Sequence, residues 1–222
     1  MYSLPFKHEM KRIVANLYWI TEGAVGINNE EPYTLTSGNK SPIYLDSRVL
    51  ISSRVAMSLI TAFAHAIVDE LPIDVIAGGE SAGIPYAEAL AEKTNKPLIY
   101  VRKQLKSYGS RSQIEGILKQ RQRVLLVEDL ITDGGSKLDF ITEIRNAGGI
   151  VEYCLVVFDR LQGGGERLNK VGVELLALTD IDVLLTLGLE EGYISQEDYN
   201  SIRAYLKDPR DWHQERGFIY YG

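Results

Sequence analysis

The chain is poor in the side chains that staple or metallate a fold. It has a single cysteine, Cys154, set inside an apolar run. One thiol builds no disulfide framework, which excludes a disulfide-held scaffold and points to a reducing compartment, expected to be the cytoplasm. Histidine is scarce too, and His8, His65 and His213 are too scattered to suggest a zinc site. No apolar run reaches the roughly 18 residues that a membrane span needs, and the opening MYSLPFKHEMKR lacks the apolar centre of a signal peptide. Basic residues are outnumbered: 24 Lys and Arg against 30 Asp and Glu give a net charge of −6, which argues against a nucleic-acid platform. Both Gly-x-x-x-x-Gly-Lys-Ser/Thr and Gly-x-Gly-x-x-Gly are missing. There is no internal repeat, no low-complexity linker, and no Ser/His/Asp or Cys/His set for nucleophilic catalysis.

What is present is ordinary globular material, 45% hydrophobic and 24% charged over 222 residues, enough for one α/β domain with a full core. Phe6, Met10, Ile13, Val14, Leu17 and Ile20 predict an amphipathic helix over 6–22. Two short β-like runs, 33–36 and 43–46, flank a polar turn and predict a small hairpin, a hood outside the main sheet. From 52 to 158 strands and helices alternate: helix 52–71, strand 73–77, a helix to about 94, strand 97–101, strand 124–127, a helix from about 136, and strand 150–158. That alternation predicts a mostly parallel twisted sheet flanked by helices. An outer strand over 173–178, a helix over 181–189 and a last helix from Ser195 to about Leu206 complete the chain. The expected organisation is a single domain over 1–222: helix and hood to about 50, core sheet over 52–180, and C-terminal helices with an aromatic tail beyond. The tail carries Trp212, Phe218, Tyr220 and Tyr221, which packing explains without chemistry.

The stretch RVLLVEDLITDGGSK (123–137) carries the most chemistry. Val124, Leu125, Leu126 and Val127 read as a strand buried on both faces. Glu128 and Asp129 follow, then Thr132, Asp133, Gly134, Gly135 and Ser136 at a helix start. A helix N-terminus offers free N–H groups and a positive dipole end, and glycines let the backbone close around a phosphate. Two carboxylates beside such a loop suit a ligand that also carries hydroxyls or hydrated Mg²⁺. The plainer alternative is an acidic strand end and a simple turn.

Three other loops fall at strand ends. Residues 78–85 are rich in small side chains, which suit close ligand approach or ordinary packing. The loop 102–116 holds Arg102, Lys103, Lys106 and Arg111, either a solvated basic loop or a lid that meets an anionic leaving group. Arg160 ends strand 150–158, placed either to fork onto a ligand carboxylate or to pair with Asp159 or Glu166. In open α/β sheets ligands bind at the strands' C-terminal ends, where all four loops converge.

VEDLITDGGS resembles the 5-phosphoribosyl-1-pyrophosphate (PRPP) motif of the type I phosphoribosyltransferases. LTSGNKSPIYLDSR (35–48), VRKQLKSYGS (101–110) and FDRLQGGGERL (158–168) narrow the likeness to the orotate phosphoribosyltransferases. The resemblance covers most of residues 5–205. It implies PRPP binding by Arg102, Lys103, Lys106, Tyr108, Glu128, Asp129, Leu130, Ile131, Thr132, Asp133, Gly134, Gly135 and Ser136. Lys106 and Asp129 would be the catalytic pair. Orotate would meet Thr132 and Arg160, with Ser37 and Lys40 from the hood. Magnesium would arrive with PRPP, aided by Glu128 and Asp129, in a homodimer whose lid reaches the neighbouring subunit. The implied reaction moves the 5-phosphoribosyl group from PRPP to orotate, giving orotidine 5′-monophosphate and pyrophosphate. Three positions depart from the pattern: Tyr108 in place of a histidine, and Thr36 and Ala82 in place of lysines. Each removes a potential positive charge, with weaker PRPP affinity or a shift of work onto Lys106 and Lys40 expected. The alternatives are a phosphoribosyltransferase for another base, which has no need of Arg160, and a non-catalytic PRPP sensor, which would need a basic face.

Overall fold

The computed structural model of the chain describes residues 4–35, 37–104 and 112–221. Helix α1 (Leu4–Ile20) buries Met10, Val14 and Leu17 of the stripe that the spacing predicts, together with Tyr18, while Ile20 at its C-terminal end is exposed. Next, β1 (Val25–Ile27), β2 (Tyr33–Thr34), β3 (Lys40–Ser41) and β4 (Ile43–Leu45) form two small antiparallel pairs, β1 with β4 and β2 with β3. The hood therefore lies outside the main sheet, but its expected hairpin is corrected: the run after Pro42 does not pair with the run at Tyr33. Pro42 lacks an N–H and divides the returning strand, and its carbonyl accepts from Asn28 at 3.0 Å. A 3₁₀ helix (Ser47–Ser52) follows. Ser53 then caps α2 (Arg54–Val68) by accepting the Ala56 N–H, so the helix read over 52–71 starts slightly later.

The core comprises β5 (Val75–Gly79), α3 (Gly83–Thr94), β6 (Leu98–Val101), β7 (Ile114–Glu115), β8 (Arg123–Ile131), α4 (Gly135–Asn146), β9 (Ile150–Asp159), α5 (Gly164–Lys170) and β10 (Glu174–Asp180). Helices α6 (Ile181–Glu190), α7 (Gln196–Lys207) and α8 (Pro209–Glu215) end the chain. The six strands lie in the order β10-β9-β8-β5-β6-β7, all parallel except β7. Strand period sorts the apolar run of β8 onto both faces. Leu125 and Val127 join the core under α1, α2, α3 and α6, while Val124 and Leu126 join the core under α4 and α5. Cys154 is buried in that second core, explained by packing.

β1, the 3₁₀ helix, β7, α5 and α8 escape the sequence pattern. β7 holds only two residues, too short for a period to show. Helix α8 follows the helix read as last, begun by Asp208 capping Asp211 and by Pro209 at its first turn. Among the described residues no helix is long and apolar enough to cross a membrane.

Candidate active site

Strand order reverses between β5 and β8, since β6 lies on one side of β5 and β8 on the other. Backbones diverge at such a switch point and leave a crevice at the strands' C-terminal ends. A cavity of about 290 Å³ sits there, lined by Glu80, Ser81 and Ala82 after β5, by Glu128, Asp129, Leu130 and Thr132 of β8 and its loop, by Ser136 and Lys137 of α4, by Lys103, and by residues 45–48. A larger groove of about 690 Å³ between α2 and α3 touches no strand end.

Strand β8 runs on through Ile131, so the two carboxylates stand in the strand rather than after it. Glu128 is 5% exposed, and its carboxylate meets Lys137 Nζ at 2.7 Å. Burial pushes its carboxyl above the ordinary value, and Lys137 opposes that rise. Gly79 and Gly83 make room for this side chain: a Cβ on either would stand 2.0 or 2.5 Å from Glu128 Oε1. The small residues at 79 and 83 thus serve an internal carboxylate. Asp129 is half-buried and faces the cavity. Burial raises its carboxyl as well, opposed by the more distant Lys137 and by the N–H groups of Leu130 and Asp129.

The loop after β8 turns at Gly134, whose φ of +81° suits glycine, and α4 begins there without a side-chain cap. Asp133 points away, pairing with Arg167 of α5 and accepting the Gly135 N–H at 3.3 Å. Ser136 and Lys137 of the first turn of α4 line the cavity, so a helix N-terminus, the kind of place that binds anions, stands there with its Gly135 N–H already bonded to Asp133. Ile131 is fully buried behind it.

Lys103 is exposed, its N–H donating to Glu80 at 2.7 Å. Arg102 pairs with Glu115 at 3.5 Å, and its N–H donates to the Gln113 carbonyl at 2.9 Å. The basic loop therefore leaves and rejoins the sheet at one point. Lys106 and Tyr108, and Thr36 in the hood, lie outside the described residues.

Arg160 follows β9, its N–H donating to the Ile131 carbonyl at 3.0 Å. It is 9% exposed, and its Nε and Nη2 have no partner among the described residues. Neither Asp159, which accepts the Leu161 N–H at 2.8 Å, nor Glu166 takes up its guanidinium among the described residues. Burial lowers its pKa. Ser37 and Lys40 stand in the hood and do not line the cavity.

Two features escaped the sequence. Lys137 was not singled out, although a cation in the first turn of a helix works against the dipole and calls for a reason. Asp46 and Arg48 also border the cavity, joined by bonds of 2.7 Å from Arg48 Nε and Nη2, in a segment legible only as strand. Among the described residues no group of three or more His, Cys, Asp or Glu side chains is arranged to hold a metal ion.

A phosphoribosyl transferase domain model matches residues 52–181. The orotate phosphoribosyltransferase of Sinorhizobium fredii is 39% identical, covering 99% of this chain and 97% of its own length. That of a Ruegeria strain is 39% identical over 96% of each chain. Among solved structures, the UMP synthase of Leishmania donovani superposes with a TM-score of 0.78 at 31% identity, covering 89% of this chain and 42% of its own. The orotate phosphoribosyltransferase of Aeropyrum pernix gives 0.67 at 29% identity, covering 81% and 99%.

Proposed function

The chain belongs to the orotate phosphoribosyltransferase branch of the phosphoribosyltransferases, and from that premise we propose how its sheet-edge site works. The reaction transfers the 5-phosphoribosyl group of PRPP to orotate, giving orotidine 5′-monophosphate and pyrophosphate in pyrimidine biosynthesis. The observation that carries the orotate assignment is Arg160: a guanidinium, nine-tenths buried, whose Nε and Nη2 await an acceptor. Orotate brings a carboxylate of matching fork geometry, and a neutral base does not.

In this reading the N-terminus of α4, with Thr132 and Ser136, holds the 5-phosphate. Asp129 accepts from the ribose hydroxyls. Glu128 acts at one remove, since Lys137 occupies its carboxylate. Arg102, Lys103 and the loop residues Lys106 and Tyr108 serve the pyrophosphate. Asp129 is the carboxylate free to face a magnesium ion carried in by PRPP, which would supply positive charge against the departing pyrophosphate. Charge builds on the sugar at C1 as the ring nitrogen of orotate attacks. No protein nucleophile is needed, so rate comes from aligning both substrates and from cations on the leaving group. A homodimer, the loop 102–116 reaching the neighbouring site, completes the proposal.

The decisive assay follows orotate absorbance with PRPP and Mg²⁺. PRPP-dependent loss of orotate is expected, and none from protein that still binds PRPP would move the assignment to another base or to a sensor. For the loop, Lys106→Ala is expected to lower kcat far more than it weakens PRPP binding measured by calorimetry. Equal losses would make Lys106 a binding residue only.

A further inference from the structure

The segment that joins the hood to α2 carries a charged pair that the chemistry above leaves unused. Asp46 caps the 3₁₀ helix by accepting the Arg48 N–H at 3.0 Å. Its two oxygens also take Nε and Nη2 of Arg48, each at 2.7 Å, and Nη2 donates to the Tyr44 hydroxyl at 3.1 Å. One edge of the guanidinium is thereby fixed. The remaining nitrogen, Nη1, has no hydrogen-bond partner among the described residues, and the side chain is 61% exposed. The backbone beneath is anchored on both sides. Ser47 is buried, its Oγ lies 2.6 Å from the Tyr18 hydroxyl of α1, and its carbonyl accepts the Tyr86 hydroxyl of α3 at 2.6 Å. A tethered turn therefore holds Arg48 in the cavity lining.

Among the described residues three cations line that cavity: Arg48, Lys103 and Lys137. Lys137 is closed against Glu128. The wall after β5 brings Glu80, Ser81 and Ala82, and no cation. Lys103 and Arg48 are left to meet a ligand whose charge is concentrated on its pyrophosphate. Capping the turn needs only the Asp46 carboxylate and a backbone N–H, and an exposed ion pair adds little stability, so the turn itself does not call for an arginine. A planar guanidinium held along one edge presents its other N–H groups in a fixed direction, the geometry that phosphate oxygens accept. The 5-phosphate already has its place at the start of α4. We propose that Arg48, aimed by Asp46, is a binding residue for the pyrophosphate group of PRPP and works beside Lys103. The inference rests on the PRPP reading of the site.

The reverse reaction separates the two phosphate sites, because orotidine 5′-monophosphate carries the 5-phosphate while pyrophosphate enters alone. KM for each is compared in full-length wild type, Arg48→Met and Arg48→Lys, with thermal melts alongside. Arg48 is exposed, so both variants should fold as wild type does. Arg48→Met is expected to raise KM for pyrophosphate roughly tenfold through loss of a charge-assisted hydrogen bond, while KM for the nucleotide stays put. Arg48→Lys keeps the charge without the fork and should recover part of the loss. An unchanged KM for pyrophosphate in active Arg48→Met, with or without a lower melting temperature, would make the arginine part of its turn only and overturn the proposal. A rise for the nucleotide as large as that for pyrophosphate would move Arg48 to the 5-phosphate and overturn it too. Wild type that forms no orotate from the nucleotide and pyrophosphate overturns the reading of the site, and the proposal with it.

Discussion

Two buried cations near the C-terminal ends of the central strands, Lys137 in the cavity lining and Arg160 outside it, are treated in opposite ways. Lys137 is 8% exposed and meets Glu128 at 2.7 Å, with two glycines cleared around the carboxylate. Arg160 is 9% exposed, and two of its nitrogens have no partner among the described residues. Removing a charge from water costs several kcal/mol, which a close opposite charge offsets. The fold supplies that offset at Lys137 and withholds it at Arg160. The same division runs through adjacent residues of β8, since Glu128 is neutralised from within while Asp129 faces the cavity without a bonded cation. Closed charges shape the site, and open ones are left for ligands.

The largest expected effect comes from opening the closed pair. Lys137→Met leaves Glu128 buried and uncompensated, and urea unfolding should show a loss of about 3–5 kcal/mol at neutral pH. Adding Glu128→Gln to that variant removes the stranded charge and should recover most of the stability, a coupling that a double-mutant cycle reads directly. A single-variant loss below about 1 kcal/mol would show that water reaches the pair, and the contrast with Arg160 would break.

Arg160→Met should do the reverse. The variant deletes a buried charge without a protein partner, so stability should hold or rise by about 1 kcal/mol. Its kcat/KM for orotate should fall roughly a hundredfold through loss of a charge-assisted fork, while PRPP binding by calorimetry stays near wild type. A drop in stability like that of Lys137→Met would place Arg160 among the structural charges instead.

This contrast marks where the sequence could be read. The run of Val124, Leu125, Leu126 and Val127 announces a strand buried on both faces, because each face needs apolar side chains, and the parallel sheet follows from its alternation with helices. Arg160 at a strand end and the glycines after β8 are local signals too. The Glu128–Lys137 pair is not. It joins a strand to the first turn of the next helix, and it shows only once Gly79 and Gly83 of a distant segment are seen to clear space for it. The hood strands misled for a related reason: both runs were recognisable, but Pro42 between them redirects the pairing to β1, a partner no local pattern names. From sequence His213 reads only as one scattered histidine, since its contact with Lys40 spans 173 positions of sequence.

The smallest effect sharpens the comparison between Glu128 and Asp129. Burial holds the Asp129 carboxyl above its ordinary value of 3.8, so the folded chain binds that proton more tightly than the unfolded chain does. Stability from this group is therefore present below the ordinary value and is lost as pH rises through the folded one. Other carboxylates titrate nearby, Asp74 and Asp133 in the opposite sense, so the informative quantity is the difference between Asp129→Asn and wild type. That difference should favour Asp129→Asn progressively as pH climbs above about 4, at no more than about 1.4 kcal/mol per pH unit, and level off once Asp129 is ionised in the folded state. A difference that runs the other way would mean that ionised Asp129 is stabilised within the protein, as by a bonded cation. Asp129 would then be a closed charge like Glu128, and the carboxylate assigned to the ribose hydroxyls and magnesium would have to be sought elsewhere in the cavity.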